Sequence, residues 1–183
     1  MEKEKIVVVG FGWASIGFLQ YIDDNLYDIV VLSKDDKFVY SPLLAQNVKQ
    51  NYDLTIPIKS LKKNLTFVQD NVEHVDFQKK IVKTNHNYDF LIFSHGAEVN
   101  TFQIPGVEKY TYYLKTFEDS LAIKEKLQEL PPSSKIAVIG CGLAGSELIG
   151  TLSDMKKFQI FAIDALELPV ITFDKTLSEK VVQ

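Results

Sequence analysis

The 183-residue chain has a single cysteine, Cys141, so it cannot close an internal disulfide. That excludes a disulfide-stapled scaffold and points to a reducing compartment. Its three histidines, His74, His86 and His95, are scattered without ligand spacing, which argues against a metal centre. No apolar run approaches the ~18 residues of a membrane span. Positive charge is not in excess: 20 Lys and Arg stand against 24 Asp and Glu, and a net charge of −4 gives no long-range attraction for nucleic acid. The densest basic stretch, Lys59-Ser60-Leu61-Lys62-Lys63, reads as a solvated loop or helix face. Met1-Glu2-Lys3-Glu4-Lys5 leads straight into a strand pattern, with no apolar segment for a secretion signal and two acids that argue against a transit peptide. The expected location is therefore cytoplasmic, with no membrane anchor in these residues.

Short β-branched runs alternate with helical patterns, the signature of an α/β fold. The first such unit has a strand at 5–10, a helix at 13–25 with Ile16, Leu19, Ile22 and Leu26 inward, and a strand at 28–32. A loop carrying Ser41-Pro42-Leu43-Leu44 follows, where Pro42 argues against helix until after it. Residues 66–76 and 80–84 read as two antiparallel strands joined near Gln78-Lys79, and 88–93 as a buried strand ending at Ser94-His95-Gly96-Ala97. Pro105-Gly106 marks a turn. A helix is predicted over 117–129 with Leu121, Ile123 and Leu127 inward, stopped by Pro131-Pro132. A second βαβ pattern occupies 135–140, 143–155 and 158–163, and a further helix is expected from Ser178. The expected domains are 1–116 and 117–183.

Two glycine turns carry the chemistry. Gly10-Phe11-Gly12-Trp13-Ala14-Ser15 follows Ile6-Val7-Val8-Val9, and Gly140-Cys141-Gly142-Leu143-Ala144-Gly145 follows Ile136-Ala137-Val138-Ile139. A strand feeding a helix through Gly-x-Gly offers free backbone N–H groups and the positive helix end to a pyrophosphate. The first glycine permits the turn, the second lets the backbone approach phosphate, and the third lets helix and strand pack closely. The second turn has all three, while Ser15, small enough to pack, holds the third place of the first. Each turn lies between a strand and a helix, the context the motif requires; the alternative is a glycine-rich turn that binds nothing. Asp164 follows Gly140 at about the 20-residue spacing of a ribose-binding carboxylate, and its charge favours NAD over NADP. Ser33 holds the matching place in the first unit, with Asp35 and Asp36 close behind; it offers a hydrogen bond without charge.

Other conspicuous residues divide between two readings. Cys141 sits at the variable position of its turn and reads as a small apolar filler rather than a redox thiol. Trp13 fits either a core position or a cover over the pyrophosphate. Glu147 fits either a solvated acid near a helix N-terminus or a group near a nicotinamide.

Over nearly its full length the sequence resembles the type II NADH dehydrogenases, single-chain NADH:quinone oxidoreductases of the two-dinucleotide flavoprotein superfamily. The glycine turns alone fit any member of that superfamily. Gly96-Ala97-Glu98-Val99-Asn100-Thr101-Phe102 and the Ser41-Pro42-Leu43-Leu44 loop are the specific parts. The resemblance implies a Rossmann-like FAD-binding unit with a small antiparallel insertion, followed by a truncated Rossmann-like NAD-binding unit. It places FAD on Gly10, Gly12, Trp13, Ala14 and Ser33, with Ser41, Pro42 and Leu43 toward the flavin. Val72 meets the adenine through its backbone, and Ser94, Gly96 and Ala97 form the second crossing near the pyrophosphate. It places NADH on Gly140, Gly142, Leu143, Ala144, Glu147 and Asp164. Ser33 is similar to the eukaryotic-type branch. The absence of a cysteine pair makes the disulfide-reductase relatives a poor match.

The implied activity is hydride transfer from NADH to FAD, with no side chain required as acid or base and a quinone or other acceptor. About 40 residues follow the second turn, whereas a complete second unit and the return to the first need well over 100. The expectation is therefore an oxidoreductase-like chain incomplete on its own, with a separate chain supplying the other half as a partner. The alternative is a non-catalytic dinucleotide-binding module or a subunit of a split enzyme.

Overall fold

The computed structural model describes residues 3–61, 63–83, 85–167, 170, 176 and 179. The helix expected from Ser178 lies outside these apart from isolated positions. Contacts gather the chain into two compact units, residues 1–39 with 55–98 and residues 40–54 with 99–183.

In the first unit, β1 (Glu4–Val9), α1 (Trp13–Tyr21) and β2 (Tyr27–Ser33) form the leading βαβ element. β3 (Lys37–Val39) pairs antiparallel with β4 (Thr55–Pro57). β5 (Leu65–Gln69) joins the main sheet beside β2, and β6 (Val75–Asp76), β7 (Ile81–Val82) and β8 (His86–Asn87) make a small antiparallel sheet. β9 (Phe90–Phe93) then returns alongside β1. The main sheet is parallel throughout, in the order β5-β2-β1-β9.

The unbroken apolar run of β1 follows from this topology, because both faces of the strand are covered. Ile6 and Val8 pack with Leu19, Ile29 and Val31 on one side. Val7 and Val9 pack with Val30, Leu32 and Val82 on the other. Burial of these β-branched side chains fixes the register, since a one-residue slip exchanges the two faces.

Three local expectations change. α1 ends at Tyr21 rather than at 25, and Leu26 is 63% exposed rather than inward. Asp23 Oδ1 accepts the Asn25 N–H at 2.9 Å, a turn that competes with helix, and Lys63 Nζ donates to the Ile22 carbonyl at 2.9 Å. The expected strand 66–76 divides: 65–69 pairs in parallel with β2, and only Val75–Asp76 pairs antiparallel with β7. The turn at Gln78-Lys79 is present because Asp76 Oδ1 accepts both of their N–H groups, at 3.1 and 2.9 Å. A 3-10 turn at Ser41–Leu43 already includes Pro42, at a helix start where its missing N–H costs nothing.

The second unit contains that turn, α2 (Leu44–Asn47), α3 (Val107–Tyr110), α4 (Phe117–Glu129), β10 (Lys135–Ile139), α5 (Leu143–Asp154) and β11 (Gln159–Ile163). α4 starts where expected because Thr116 and Asp119 form a capping box, with reciprocal bonds of 3.1 and 2.8 Å. Residues 40–54 pack here for two reasons. Val48 is buried with Ile123, Leu127, Val138 and Leu152. Asn47, also buried, donates to Ser120 Oγ at 2.8 Å and accepts the Tyr52 N–H at 2.9 Å. β10 and β11 pair in parallel, with Ile136, Val138 and Ile160 toward this core. On their other face Ile139, Phe161 and Ile163 are about half exposed.

Candidate functional site

Both glycine turns sit at the carboxyl end of a parallel strand and open a helix. The two are held alike. Gly10 N–H bonds the Leu32 carbonyl and Gly140 N–H the Ile163 carbonyl, each at 2.8 Å, tying each turn to the end of the neighbouring strand. Gly12 and Gly142 are the N-caps, with carbonyls that accept the first helical bonds from Ile16 at 3.0 Å and Ser146 at 2.9 Å. Neither helix carries an acid in its first turn, so no fixed carboxylate competes with an anion there.

A test for a pyrophosphate cradle is whether the glycines are needed by the protein itself. A Cβ on Gly12 would meet nothing nearer than the Ser94 carbonyl oxygen at 4.0 Å, and one on Gly142 meets nothing within 4 Å. Gly142 therefore faces open space and Gly12 would make at most one ordinary contact, so packing requires neither glycine, as in a backbone surface kept bare for a ligand. Gly10 differs, because its φ of +93° and the Ser94 carbonyl carbon 2.8 Å from a built Cβ make it a packing requirement. In the second turn Gly145 has that role: a Cβ there would collide with the Gly140 carbonyl. The cradle fits an adenine dinucleotide at each turn.

Around the first turn the structure brings together Gly10, Gly12, Trp13, Ala14, Ser33 and Ser94, while Gly96 and Ala97 follow two residues further on and are exposed. The chain just after β9 passes directly over Gly10, putting Ser94 and His95 beside the turn. Trp13 is half exposed and rests edge-on against Phe38, with ring centroids 4.9 Å apart, so it is neither fully core nor fully free of it. Ser33, the last residue of β2, is only 8% exposed. Its hydroxyl accepts the Asp35 N–H at 3.3 Å and still has its own proton to donate. Val72 packs against the cluster of Val7, Val9, Val30 and Leu32. Ser41, Pro42 and Leu43 belong to the second compact unit.

Around the second turn lie Gly140, Gly142, Leu143, Ala144 and Asp164. Asp164 Oδ2 accepts the Cys141 N–H at 2.5 Å and Oδ1 the Leu166 N–H at 2.8 Å. The Cys141 amide bond, with help from Leu166, holds this carboxyl below the ordinary aspartate range, so it is anionic at neutral pH. Burial, assisted by the negative Asp164, pushes the Cys141 thiol up, which keeps it protonated and unreactive, the filler reading of the sequence. Leu143 is exposed at the helix start. Glu147 is exposed and rims a hollow of about 460 Å³ with Gln46, Lys49, Thr151 and Asp154.

Sequence reasoning missed the hydroxyl of Ser15, which reaches back to the Gly10 carbonyl at 2.6 Å and also touches Ser94 Oγ. The signal was present in the serine at a glycine position, but the partner lies 79 residues away. Among the described residues no cluster of His, Cys, Asp and Glu is arranged to hold a metal ion. Among them, too, no helix is long and apolar enough to cross a membrane.

A parallel sheet with a bare-backboned glycine turn leading into a helix, repeated once in the chain, defines a protein of the Rossmann-like dinucleotide-binding class. The chain belongs to the pyridine nucleotide-disulphide oxidoreductase family, whose profile matches residues 4–183. It is 28% identical to an external alternative NAD(P)H-ubiquinone oxidoreductase B4 of Arabidopsis thaliana, over 84% of this chain and 32% of that protein. It is 27% identical to external NADH-ubiquinone oxidoreductase 2 of Saccharomyces cerevisiae, over 97% of this chain and 41% of that one. Both relatives are mitochondrial by name. Among solved structures, NDH2 from Plasmodium falciparum in complex with NADH superposes with a TM-score of 0.84 at 27% identity, covering 97% of this chain and 45% of that one. The chain thus spans less than half the length of these relatives.

Proposed function

We propose that this polypeptide is the dinucleotide-binding part of a flavin-dependent NADH:quinone oxidoreductase, taking FAD at the first turn and NADH at the second. The observation that carries the reading is the pair of second-position glycines, Gly12 and Gly142, which packing leaves bare. A bound flavin would supply the hydride-accepting chemistry, and the residues of this chain bind and orient. In the first unit, 1–116 by the sequence division, the N–H groups at Gly12, Trp13 and Ala14 face the pyrophosphate. Ser33 donates to the adenosine ribose, Val72 borders the adenine, and Ser94, Gly96 and Ala97 flank the phosphates. Ser41, Pro42 and Leu43 serve the flavin side. In the second, 117–183, Gly142, Leu143 and Ala144 present N–H groups, Asp164 receives the ribose hydroxyls, and Glu147 borders the nicotinamide.

The named relatives act on ubiquinone, which supports a quinone as acceptor. Their greater length supports a partner or continuation that supplies the remaining part. The single buried cysteine supports a reducing, cytoplasm-like environment.

Equilibrium dialysis of the purified polypeptide with FAD and with NADH tests the reading. One FAD and one NADH per chain, each lost on substitution at its own turn, is the expected result. Binding of neither dinucleotide overturns it, and tight binding without any electron transfer after the remaining part is supplied favours a non-catalytic module.

A further inference from the structure

Ser15 is fully buried at a position where the second turn tolerates no side chain. In the first turn that space is occupied by a hydroxyl pair. Ser15 Oγ donates to the Gly10 carbonyl at 2.6 Å and touches Ser94 Oγ, which itself lies 3.0 Å from the Val9 carbonyl. Three contacts are thus shared by two protons. The Val9 carbonyl already receives the Ser94 N–H at 2.9 Å. The order that leaves both carbonyls with a donor runs from Ser94 hydroxyl to Ser15 hydroxyl to Gly10 carbonyl.

The pair joins two segments that are already neighbours, since the Ser94 N–H bonds the Val9 carbonyl and the Ser94 backbone abuts Gly10. Ser15 stands in the first turn of the helix that follows the glycine turn, and Ser94 follows the last residue of β9, where the chain crosses over Gly10. The opening between Gly12 and this crossing, 4.0 Å from a built Cβ to the Ser94 carbonyl oxygen, is bounded by residue 94 itself. A hydrogen bond between side chains of separate segments, one of them fully buried, fixes their spacing more tightly than apolar contact, because sliding apart leaves polar atoms unpaired.

We propose that Ser15 and Ser94 are positioning residues for FAD: a hydroxyl clasp that sets the distance between the glycine turn and the β9 crossing, and so the width of the slot for the pyrophosphate. The inference rests on the assignment of FAD to the first turn. Neither hydroxyl touches the cofactor in this role. Without the clasp the β9 crossing no longer stands at a fixed distance from the N–H groups that follow Gly12, and the fit of the slot to the phosphates is lost.

The test is FAD affinity by flavin fluorescence, with thermal unfolding of the FAD-free protein measured in parallel, for parent, Ser15→Ala, Ser94→Ala, the double variant and Ser94→Thr. Each alanine variant should weaken FAD roughly tenfold, and the double variant no more than either single one, since the hydroxyls act as one unit. Ser94→Thr keeps the hydroxyl and should bind within about twofold of the parent, which a merely space-filling role does not predict. Unchanged affinity in both alanine variants, or losses that multiply in the double variant, overturns the clasp. Should Ser15→Ala fail to fold, the Ser94→Ala and Ser94→Thr pair decides alone: equal affinities for these two overturn the proposal. A parent protein that takes up no FAD overturns the assignment of the first turn and the clasp with it; a parent that binds while the variants match it overturns the clasp only.

Discussion

Asp164 Oδ2 accepts the backbone N–H of Cys141 at 2.5 Å, so the carboxylate at the end of β11 braces the second glycine turn from across the strand pair. Its other oxygen takes the Leu166 N–H at 2.8 Å. The carboxylate is therefore fixed in place by the chain itself, and under the proposed ribose assignment it would set negative charge against a 2′-phosphate. NADH should be preferred over NADPH by at least roughly tenfold, because like charges brought together in a binding cleft cost several kcal/mol. Asp164→Asn should narrow that gap in direct titrations, and it should weaken both cofactors somewhat, since an amide nitrogen cannot accept the second N–H. Equal affinity of the parent for both cofactors removes the argument.

The same carboxyl sets a pH window. Its pKa is depressed in the folded state, so its contribution is complete above the ordinary aspartate range and is lost as pH falls through the lower folded value. NADH affinity followed from neutral pH downward should show no step attributable to Asp164 until the solution is more acidic than that range. A step near pH 6 that disappears in Asp164→Asn contradicts the brace.

Gly10 and Gly12 should separate cleanly on substitution. Gly10→Ala forces a side chain onto the Ser94 carbonyl at a φ of +93°, which should cost about 1–3 kcal/mol or more in denaturant unfolding without FAD. Gly12→Ala makes only an ordinary contact with the Ser94 carbonyl and gives up a favourable N-cap, a cost of about 1 kcal/mol or less, yet it should abolish most FAD binding. Gly12→Val should do so completely. If FAD binding survives at Gly12→Val, the turn is structural.

Much of this was legible in the sequence, and the reason is local. The runs 6–9 and 136–139, the glycines after them and the capping residues of α4 act over a few neighbours, so their elements appear where periodicity and motif place them. The misreadings involve partners far along the chain. α1 stops early with a Lys63 bond on Ile22, and β5 joins β2 rather than the hairpin. At the site, the glycines and Asp164 were visible as a motif. The Asp164 brace, the buried state of Ser33 and the Ser15–Ser94 contact depend on which strand ends the sheet order places together.

Cys141 should be chemically quiet. Burial and then the negative Asp164 raise its pKa, and the thiolate is the reactive species. Alkylation by iodoacetamide at pH 7.5, followed by mass spectrometry, should run at least about tenfold slower in the folded protein than in urea. Reaction at the unfolded rate shows that the second turn opens readily.

Asn47 should matter for stability without touching a ligand. Its amide donates to Ser120 and its carbonyl accepts the Tyr52 N–H, with Asn47 and Ser120 both buried. Asn47→Ala leaves that N–H unpaired and should cost about 1–3 kcal/mol in denaturant unfolding. The Ser120 hydroxyl stays bonded to the Phe117 carbonyl at 2.6 Å, so Ser120→Ala should cost less. A larger loss at Ser120 than at Asn47 reverses the assigned roles.

The 183 residues alone should show little or no NADH:quinone activity even when both dinucleotides bind. Hydride transfer needs the nicotinamide held against the flavin within a few ångströms, and orientation of that kind supplies a large share of the rate. This polypeptide spans less than half the length of the oxidoreductases it matches. Among the described residues its second unit has two sheet strands, with Ile139, Phe161 and Ile163 half exposed on one face. A sheet so short and bare holds its ligand on few fixed groups, so binding should be measurable while turnover is lost to poor orientation. Supplying the remaining length of a relative in trans, or as a fusion, should restore NADH oxidation monitored at 340 nm, with both Gly12→Val and Gly142→Val abolishing it. Robust turnover by the isolated polypeptide with FAD and a soluble quinone would show that the 183 residues already orient both cofactors.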